Sequence, residues 1–570
     1  MKNLLFLFLL VLLGTAVFAQ EKITISGYLT DDTNGEALIF ANVFISESTI
    51  GVNSNEYGYY ALDIPANEAV TVVFSYLGYQ DKAVLIHSSK DKKVPISLLP
   101  NGAQLEEVVV TASTLSDAQE AVQSTQMSTI EIPVEQIKTI PTVGGELDII
   151  KVIQLLPGVT KGGEGTSGLF VRGGQADQNL VLLDEATVYN ISHLFGFFSV
   201  FNPDATKDIS LIKGALLAIY GGRHSSVLDI RMKEGNKREF HGAGGIGLLS
   251  SRLTLEGPII KDKASFLISG RRTYIDQIFK SAGSLLPYYF YDFNAKLNYT
   301  ISDKDRIFYS AYFGDDVLSF DENDVGEPQD SIDFGLDFGF KIGNFTQTLR
   351  WNHLYNPKLF SNLSLIHTSF NYDIRGAIDN NSLLIRSEVE DLGVKMDFTQ
   401  FTSDTKKYRF GGQIINHRFR PNILSTTGLV SEFIENQRGE VRNTVEVGIY
   451  GGAEYKFGSR YKVNAGLRIS GGFVKNKTYG GFEPRLAGTY IIDDNSSFKA
   501  SFSRMTQYMH LVSSSTVALP TDLWYPVSER VAPQYSNQIA IGYERYFKKS
   551  DLKLTLEMFS KTMNLSLIHI

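Results

Sequence analysis

A chain of 570 residues is too long for one compact core and reads as several units. Charged residues make up 20% and aromatics 12%, with 50 glycines, a mix that suits many strands joined by tight turns more than helices. The net charge of -8 argues against nucleic acid as a partner, and the absence of cysteine excludes both disulfides and an N-terminal lipidated cysteine.

Residues 1–19 carry Lys2, an apolar run over 4–13, and small residues up to Val17-Phe18-Ala19 before Gln20. This is the pattern of a cleavable secretory signal, and the run falls short of the ~20 apolar residues that span a bilayer. No later segment comes close to a transmembrane helix, so periplasm, cell surface or outer-membrane barrel remain as destinations.

Over 20–100 the chain shows short alternating runs broken by turn residues, as in Ile23, Ile25, Gly27 and Leu29 followed by Asp31-Asp32-Thr33-Asn34-Gly35. That pattern predicts a small Ig-like β-sandwich. The next segment, 101–135, is a polar linker around Glu106, Glu107, Val108, Val109, Val110, Thr111 and Ala112. Its three adjacent valines favour a strand that has no obvious local partner. Such a strand either offers its backbone to another protein's sheet edge or closes the preceding sandwich.

Residues 136–237 mix helix and strand signals. Ile149, Val152, Ile153 and Leu156 recur at helical spacing and stop at Pro157-Gly158, predicting an amphipathic helix over 146–159. Two short strands are expected around Gly173-Gly174. From 238 to 570 long alternating strands take over: Tyr291, Phe293, Ala295, Leu297 and Tyr299 interleave with Asp292, Asn294, Lys296, Asn298 and Thr300. Runs near Tyr461 and Leu552 behave alike. One apolar and one polar face over about ten residues is what a strand between lipid and a wet lumen requires.

Three stretches, SGYLTDDTNGEALIFANVFI, NEYGYYALDIP and VVFSYLGYQ, resemble the carboxypeptidase-regulatory-like domain, a seven-stranded sandwich that carries no peptidase activity. Val171-Arg172-Gly173-Gly174, Leu182-Leu183-Asp184-Glu185, Lys213-Gly214, Tyr220-Gly221-Gly222-Arg223 and Val227-Leu228-Asp229-Ile230 resemble, in order, the plug domain of TonB-dependent receptors. Asp184-Glu185 departs from the usual Asp-Gly of that plug. The fold this implies is mainly β: signal peptide, sandwich, α+β plug, and a partial transmembrane antiparallel β-barrel. Strand counting gives roughly fourteen, whereas a barrel with a plugged lumen has about 22, so an open sheet with two unpaired edges and a truncated chain are expected.

The resemblance implies that residues 106–112 bind TonB and its inner-membrane motor, and that Arg172, Lys213 and Arg223 lock the plug to wall carboxylates. The alternative is that these cations merely face lumen water. Outer-membrane lipid, an extracellular solute and a surface lipoprotein are the other partners implied, with the sandwich in the periplasm. The expected function is active import of a scarce solute across the outer membrane; a signalling receptor and a structural or adhesive barrel are the alternatives. The solute itself is not legible, although the loop over 319–333 is a candidate contact.

Enzyme chemistry finds no support in the residues. Gly242-Ala243-Gly244-Gly245-Ile246-Gly247 fits a dinucleotide fingerprint in letters, but strand-like residues follow it in place of a helix. The nine histidines show no metal-ligand spacing, and Ser225-Ser226 beside His224 has no positioned acid. Neither a cofactor nor a metal is expected.

Overall fold

A computed structural model of the chain describes residues 21–48, 50–101, 122, 124–137, 146–161, 168–193, 196, 198–283, 286–320, 336–378, 380–433, 435–436, 439–512 and 523–564. The expected signal segment 1–19, the valine segment 106–112 and most of the loop over 319–333 lie outside these residues. The chain forms two compact units that divide near Thr114.

The first unit is the sandwich. One sheet places Tyr59–Pro65 on one side of the central strand Lys22–Asp31, with Lys92–Lys93 and Ile96–Leu98 in parallel on the other. The second sheet runs Gly51–Asn53, Asn42–Ile45, Ala69–Ser75, Lys82–His87. Among the described residues this unit has eight strands where the resemblance implied seven, Lys92–Lys93 being only two residues long. Ile25, Leu29, Val43, Tyr60, Leu62, Val72 and Phe74 close the core between the sheets. Lys22–Asp31 buries even Thr24 and Ser26 because sheet neighbours flank it on both sides. At Gly27 a side chain would meet the Val94 carbonyl oxygen at 2.5 Å, and the Tyr60 hydroxyl donates to that same oxygen at 2.6 Å.

In the second unit, a five-stranded sheet runs in the order Ala186–Thr187, Asn179–Leu183, Ser226–Met232, Thr206–Ile212, Thr129–Pro133. The strand Thr129–Pro133 pairs antiparallel with Thr206–Ile212, so the plug sheet reaches back into the stretch 101–135 expected to be linker. Pattern alone could not place it, because TIEIP earns its strand only from a partner some 80 residues downstream. The strand Asn179–Leu183 is buried on both faces: Leu180 and Leu182 join Tyr220, Tyr450 and Met505, while Val181 and Leu183 join Ile149, Ile209 and Leu228.

The expected helix over 146–159 is shorter, at Ile149–Ile153. The Asp148 carboxylate caps it by accepting from the Lys151 amide at 2.9 Å. Beyond Ile153 the amides of Leu155, Leu156 and Val159 bond three residues back, to Val152, Ile153 and Leu156, so the chain tightens into turns before Pro157-Gly158 can extend a helix. The strands flanking Gly173-Gly174 do not form a hairpin: Leu169–Val171 pairs with Val159–Lys161, while Asn179–Leu183 enters the main plug sheet.

Fifteen antiparallel strands, from His241–Ile246 to Leu552–Asn564, form one sheet in sequential order. The longest, Asn381–Ser403, has 23 residues. A two-stranded hairpin, Met509–Val512 with Leu523–Pro526, is inserted between Ser496–Gln507 and Gln534–Phe547. Among the described residues the first and last strands do not pair with each other, in line with the open sheet expected. The glycine-rich 242–247 stretch is the first of these strands, paired with Ser250–Ile260, and opens no helix.

Burial inverts the rule of soluble proteins. On Tyr288–Thr300 the polar Asp292, Asn294, Lys296 and Asn298 are 2–3% exposed, while Phe293, Leu297 and Tyr299 are 41–43% exposed. Polar side chains therefore meet the plug and apolar ones face outward, as lipid contact demands. Connections at one end of the sheet, such as 261–263, 357–358, 404–405, 458–460 and 494–495, are all short, whereas the other end carries 274–287, 428–441 and 508–533. Short turns mark the periplasmic end of such sheets.

Candidate functional site: the seam between plug and barrel wall

Polar contacts join several plug segments to the inner wall. Glu146, just before the plug helix, accepts from Arg271 of the wall at 2.7 Å and from Ser250 at 2.5 Å. Arg271 also holds Asp292 at 2.7 Å through Nε and donates to the Ser199 carbonyl at 2.8 Å, so one wall guanidinium bridges two plug segments. Asp204 pairs with Arg252 at 2.7 Å. The hairpin between Asn179–Leu183 and Ala186–Thr187 sends both of its tip residues to the wall. Asp184 pairs with Lys296, and Glu185 accepts from Asn362 at 3.1 Å and lies 3.5 Å from Arg350.

That hairpin settles what the Asp184-Glu185 departure does locally. Both residues adopt positive φ, 47° and 76°, and Leu183 pairs with Ala186 across a two-residue loop. A turn of this kind needs left-handed backbone at both positions, which is why glycine is preferred at the second. Glutamate there accepts a strained backbone in exchange for a carboxylate that reaches the wall.

The aromatic and imidazole contacts follow the same seam. Tyr189 donates to Asp391 at 2.6 Å, and Asp391 is also 2.7 Å from His417. His193 lies 3.1 Å from Asp316 and 3.4 Å from Asp292. Burial pulls the His193 imidazole down, but the two carboxylates outweigh it and the net direction is up. His224, 3.2 Å from Gln534, is pushed down to about 4 by burial.

The three expected plug cations separate. Arg172 does meet a wall carboxylate, Glu557, and its guanidinium sits 4.7 Å from the Phe559 ring. Burial lowers its proton affinity and Glu557 opposes that. Among the described residues Lys213 makes no wall ion pair; its ammonium donates to the Pro157 carbonyl at 2.6 Å inside the plug, and burial together with Arg172 pulls it down. Its carbonyl, not its charge, reaches the wall, accepting from Gln538 at 2.9 Å. Arg223 lies 5.0 Å from the Trp524 ring and 5.9 Å from that of Tyr189, and donates to the neighbouring Gly222 carbonyl at 2.9 Å. The Tyr220-Gly221-Gly222-Arg223 motif has a steric reason as well: any side chain at Gly221 would overlap the guanidinium of Arg468, which is fully buried in the wall.

Arg172 pairs as expected, but the rest of the seam adds charges the sequence reading did not single out. Most of its ion pairs set plug carboxylates, Glu146, Asp184, Glu185 and Asp204, against wall cations, Arg271, Lys296, Arg350 and Arg252. One signal was available: Lys296 stands on the polar face of its strand, where a buried charge needs a partner. Among the described residues no cluster of His, Cys, Asp or Glu could hold a metal ion, and no helix is long and apolar enough to cross a membrane.

Comparison with known proteins bears on the same three regions. Residues 25–110 match the CarboxypepD_reg-like domain, 121–226 the TonB-dependent receptor plug domain, and 270–564 the TonB-dependent receptor-like β-barrel. The chain is 33% identical to TonB-dependent receptor P3 of Formosa agariphila over 110 residues, 19% of this chain and 10% of that relative. It is 28% identical to TonB-dependent receptor SusC of Bacteroides thetaiotaomicron over 252 residues, 41% of this chain and 23% of that relative. The matched stretches thus span under a quarter of either curated relative. The fold is similar to that of the siderophore receptor PirA from Acinetobacter baumannii, with TM-score 0.56, 15% identity, and 79% and 80% of the two chains covered. A mutant ferric enterobactin receptor, PfeA, from Pseudomonas aeruginosa gives TM-score 0.57, 14% identity, and 79% and 73%. With the barrel model matching over half of its residues, its inner wall lined by polar side chains and a plug sheet seated against that wall, the chain belongs to the TonB-dependent receptor family of outer-membrane β-barrels.

Proposed function

We propose that the chain imports a scarce solute across the outer membrane, with TonB pairing to Glu106, Glu107, Val108, Val109, Val110, Thr111 and Ala112 and displacing part of the plug. The observation that carries this reading is the character of the plug's attachment. Hydrogen bonds and ion pairs, which water can replace as they part, hold much of the seam, and just before the first plug strand the wall is met by hydrogen bonds from Thr489 to the Ser124 carbonyl at 2.9 Å and from Lys499 to the Gln126 carbonyl at 3.2 Å, while the apolar contacts of Leu180, Leu182 and Tyr220 with Tyr450 and Met505 lie deeper in the plug. The strand Thr129–Pro133 supports it further: it is the first plug strand after the valine segment and an edge strand, held by a single ladder to Thr206–Ile212. Force transmitted from 106–112 would reach that strand first.

In this reading Arg172 and Arg223 hold the plug to the wall, and Lys213 holds the plug to itself. The sandwich stands in the periplasm, and the inner-membrane motor supplies the energy through TonB, so the chain needs no cofactor. The nutrient and siderophore receptors among its relatives favour import as the activity and leave the solute, and any surface lipoprotein partner, to be identified.

The test uses the backbone. Val109→Pro deletes a donor and the pairing geometry, whereas Val109→Thr keeps both. The proline variant should assemble at normal abundance yet lose binding to the purified periplasmic domain of TonB, while the threonine variant retains it. Undiminished TonB binding by the proline variant would overturn the proposal. A fall in abundance with TonB binding intact would instead make the segment a closing strand of the sandwich.

A further inference from the structure

Two charged wall residues face the plug loop 217–223 and neither is fully met. Arg468 is completely buried, and all three of its guanidinium nitrogens lack a hydrogen-bond partner among the described residues. Glu446, also buried, leaves Oε1 without such a partner and sets Oε2 3.6 Å from His417. Both belong to the inward set of their strands, since Ile449 on one and Ile469 on the other are exposed on the outer face.

The register explains the isolation of Arg468. Its cross-strand neighbours are Tyr450 on one side and Glu483 on the other. The Tyr450 ring lies 5.3 Å from the guanidinium and offers a π face, but its hydroxyl is committed to Asp397. Glu483 accepts from Ser470 at 2.5 Å and from Arg485 at 2.8 Å, so both of its oxygens are taken. The guanidinium instead extends over Gly448, where any side chain would overlap it. Gly448 is two residues from Glu446 on the same inward face, so the head of Arg468 stands one side-chain position from an unmet carboxylate oxygen. Among the described residues the two do not pair.

The plug lies between them. A β-carbon at Gly221 would overlap the Arg468 guanidinium, and one at Gly222 would stand 3.1 Å from Glu446 Oε1. Consecutive residues of one loop therefore touch the cation and the anion, and both are glycine, whose backbone approaches closest. Gly222 adopts φ 82° and bridges to Gln507 of the wall, which seats the loop in that position. A buried guanidinium without an acceptor is costly, and so is an unmet carboxylate oxygen. Both costs last only while the loop is seated.

We propose that Gly221-Gly222 holds Arg468 and Glu446 apart and that the two pair when the loop leaves, so that the wall itself favours displacement of this part of the plug. Arginine suits the role, because its planar fork binds a carboxylate through two parallel contacts once the glycines no longer intervene. The Arg172 contact with Glu557 acts in the opposite sense, since it exists only while the plug is docked. Use of the device in import rests on the import reading; the pairing itself does not.

Amide hydrogen exchange over residues 217–223 of the purified chain in detergent reads how readily the loop leaves. Arg468→Met keeps a long side chain and removes the charge; it should slow exchange there about tenfold or more, the worth of one charge-assisted contact. Glu446→Gln should slow it as well. Because the two residues act on each other in the displaced state, the double variant should slow exchange by less than the product of the single effects. Exchange in the sandwich strand Lys22–Asp31 should not change. Faster loop exchange in either single variant would mean that the residue holds the loop in its seat, and overturns the proposal. A double variant whose effect equals the product overturns the pairing. Glu446→Gln is nearly isosteric and decides the sign alone should Arg468→Met fail to fold. TonB is absent from the measurement, so a failed Val109 test would count against the import reading and leave this result standing.

Discussion

Asp184 of the plug and Lys296 of the barrel wall form an ion pair whose side chains are only 3% and 2% exposed. A pair so buried sets its Coulomb attraction against the dehydration of both groups, so its net contribution is modest while the cost of removing one partner is high. Lys296→Met should therefore cost about 3–5 kcal/mol of plug docking by leaving a buried carboxylate alone. Adding Asp184→Asn should recover more than half of that. Protease sensitivity of the plug in outer-membrane preparations reads the difference, and a double variant no better than the single one would show that other contacts govern docking.

Backbone strain at the same hairpin can be separated from its side-chain contact. Glu185→Ala loses the carboxylate and keeps a non-glycine residue at φ 76°, while Glu185→Gly loses the carboxylate and relieves the strain. The glycine variant should be more stable by about 1 kcal/mol, the typical cost of left-handed backbone in an L-residue. Urea unfolding of the two variants side by side checks this, and equal stabilities would remove strain from the account.

His193 and His224 should give the plug opposite responses to pH. His224 is held down to about 4 from its ordinary 6.5, so between those values the unfolded state binds more protons and stability rises with pH. His193 is raised, so its contribution is complete below about 6.5 and is lost as pH rises through its folded value. His224→Gln, which keeps an amide near Gln534, should flatten the acid side of the stability profile. His193→Gln should flatten the side above 6.5. Thermal unfolding across pH 4 to 9 measures both, and a common direction for the two variants would contradict the assignment.

The sandwich should respond to its own packing alone. Gly27→Ala places a methyl against the Val94 carbonyl within the buried middle of its strand, which should destabilise that unit by about 1–3 kcal/mol. Protease cleavage should then begin within residues 22–98 while the unfolding temperature of the plug and barrel unit stays as it was. Unchanged sandwich stability would mean that Lys92–Lys93 and the residues after it can shift away from Lys22–Asp31.

Much of this protein was legible before its coordinates. The alternation of Tyr291 to Thr300 set which face of a strand meets lipid, because period-two patterning is local and survives any arrangement of neighbours. The plug motifs announced a plug domain, and the mismatch between roughly fourteen strands and a plugged lumen anticipated a sheet with two ends. Partners were another matter. Thr129–Pro133 looked like linker because its ladder lies far along the chain, and the expected helix at 146–159 shortened once its last residues were drawn into turns. Lys213 looked like a wall contact by its motif and proved to hold Pro157, while Glu146, Asp204, Asp184 and Glu185 carried the contacts that were expected of cations. A sequence states that a charge will be buried and on which face; which charge it meets depends on how two separate sheets are brought together, and only the tertiary structure decides that.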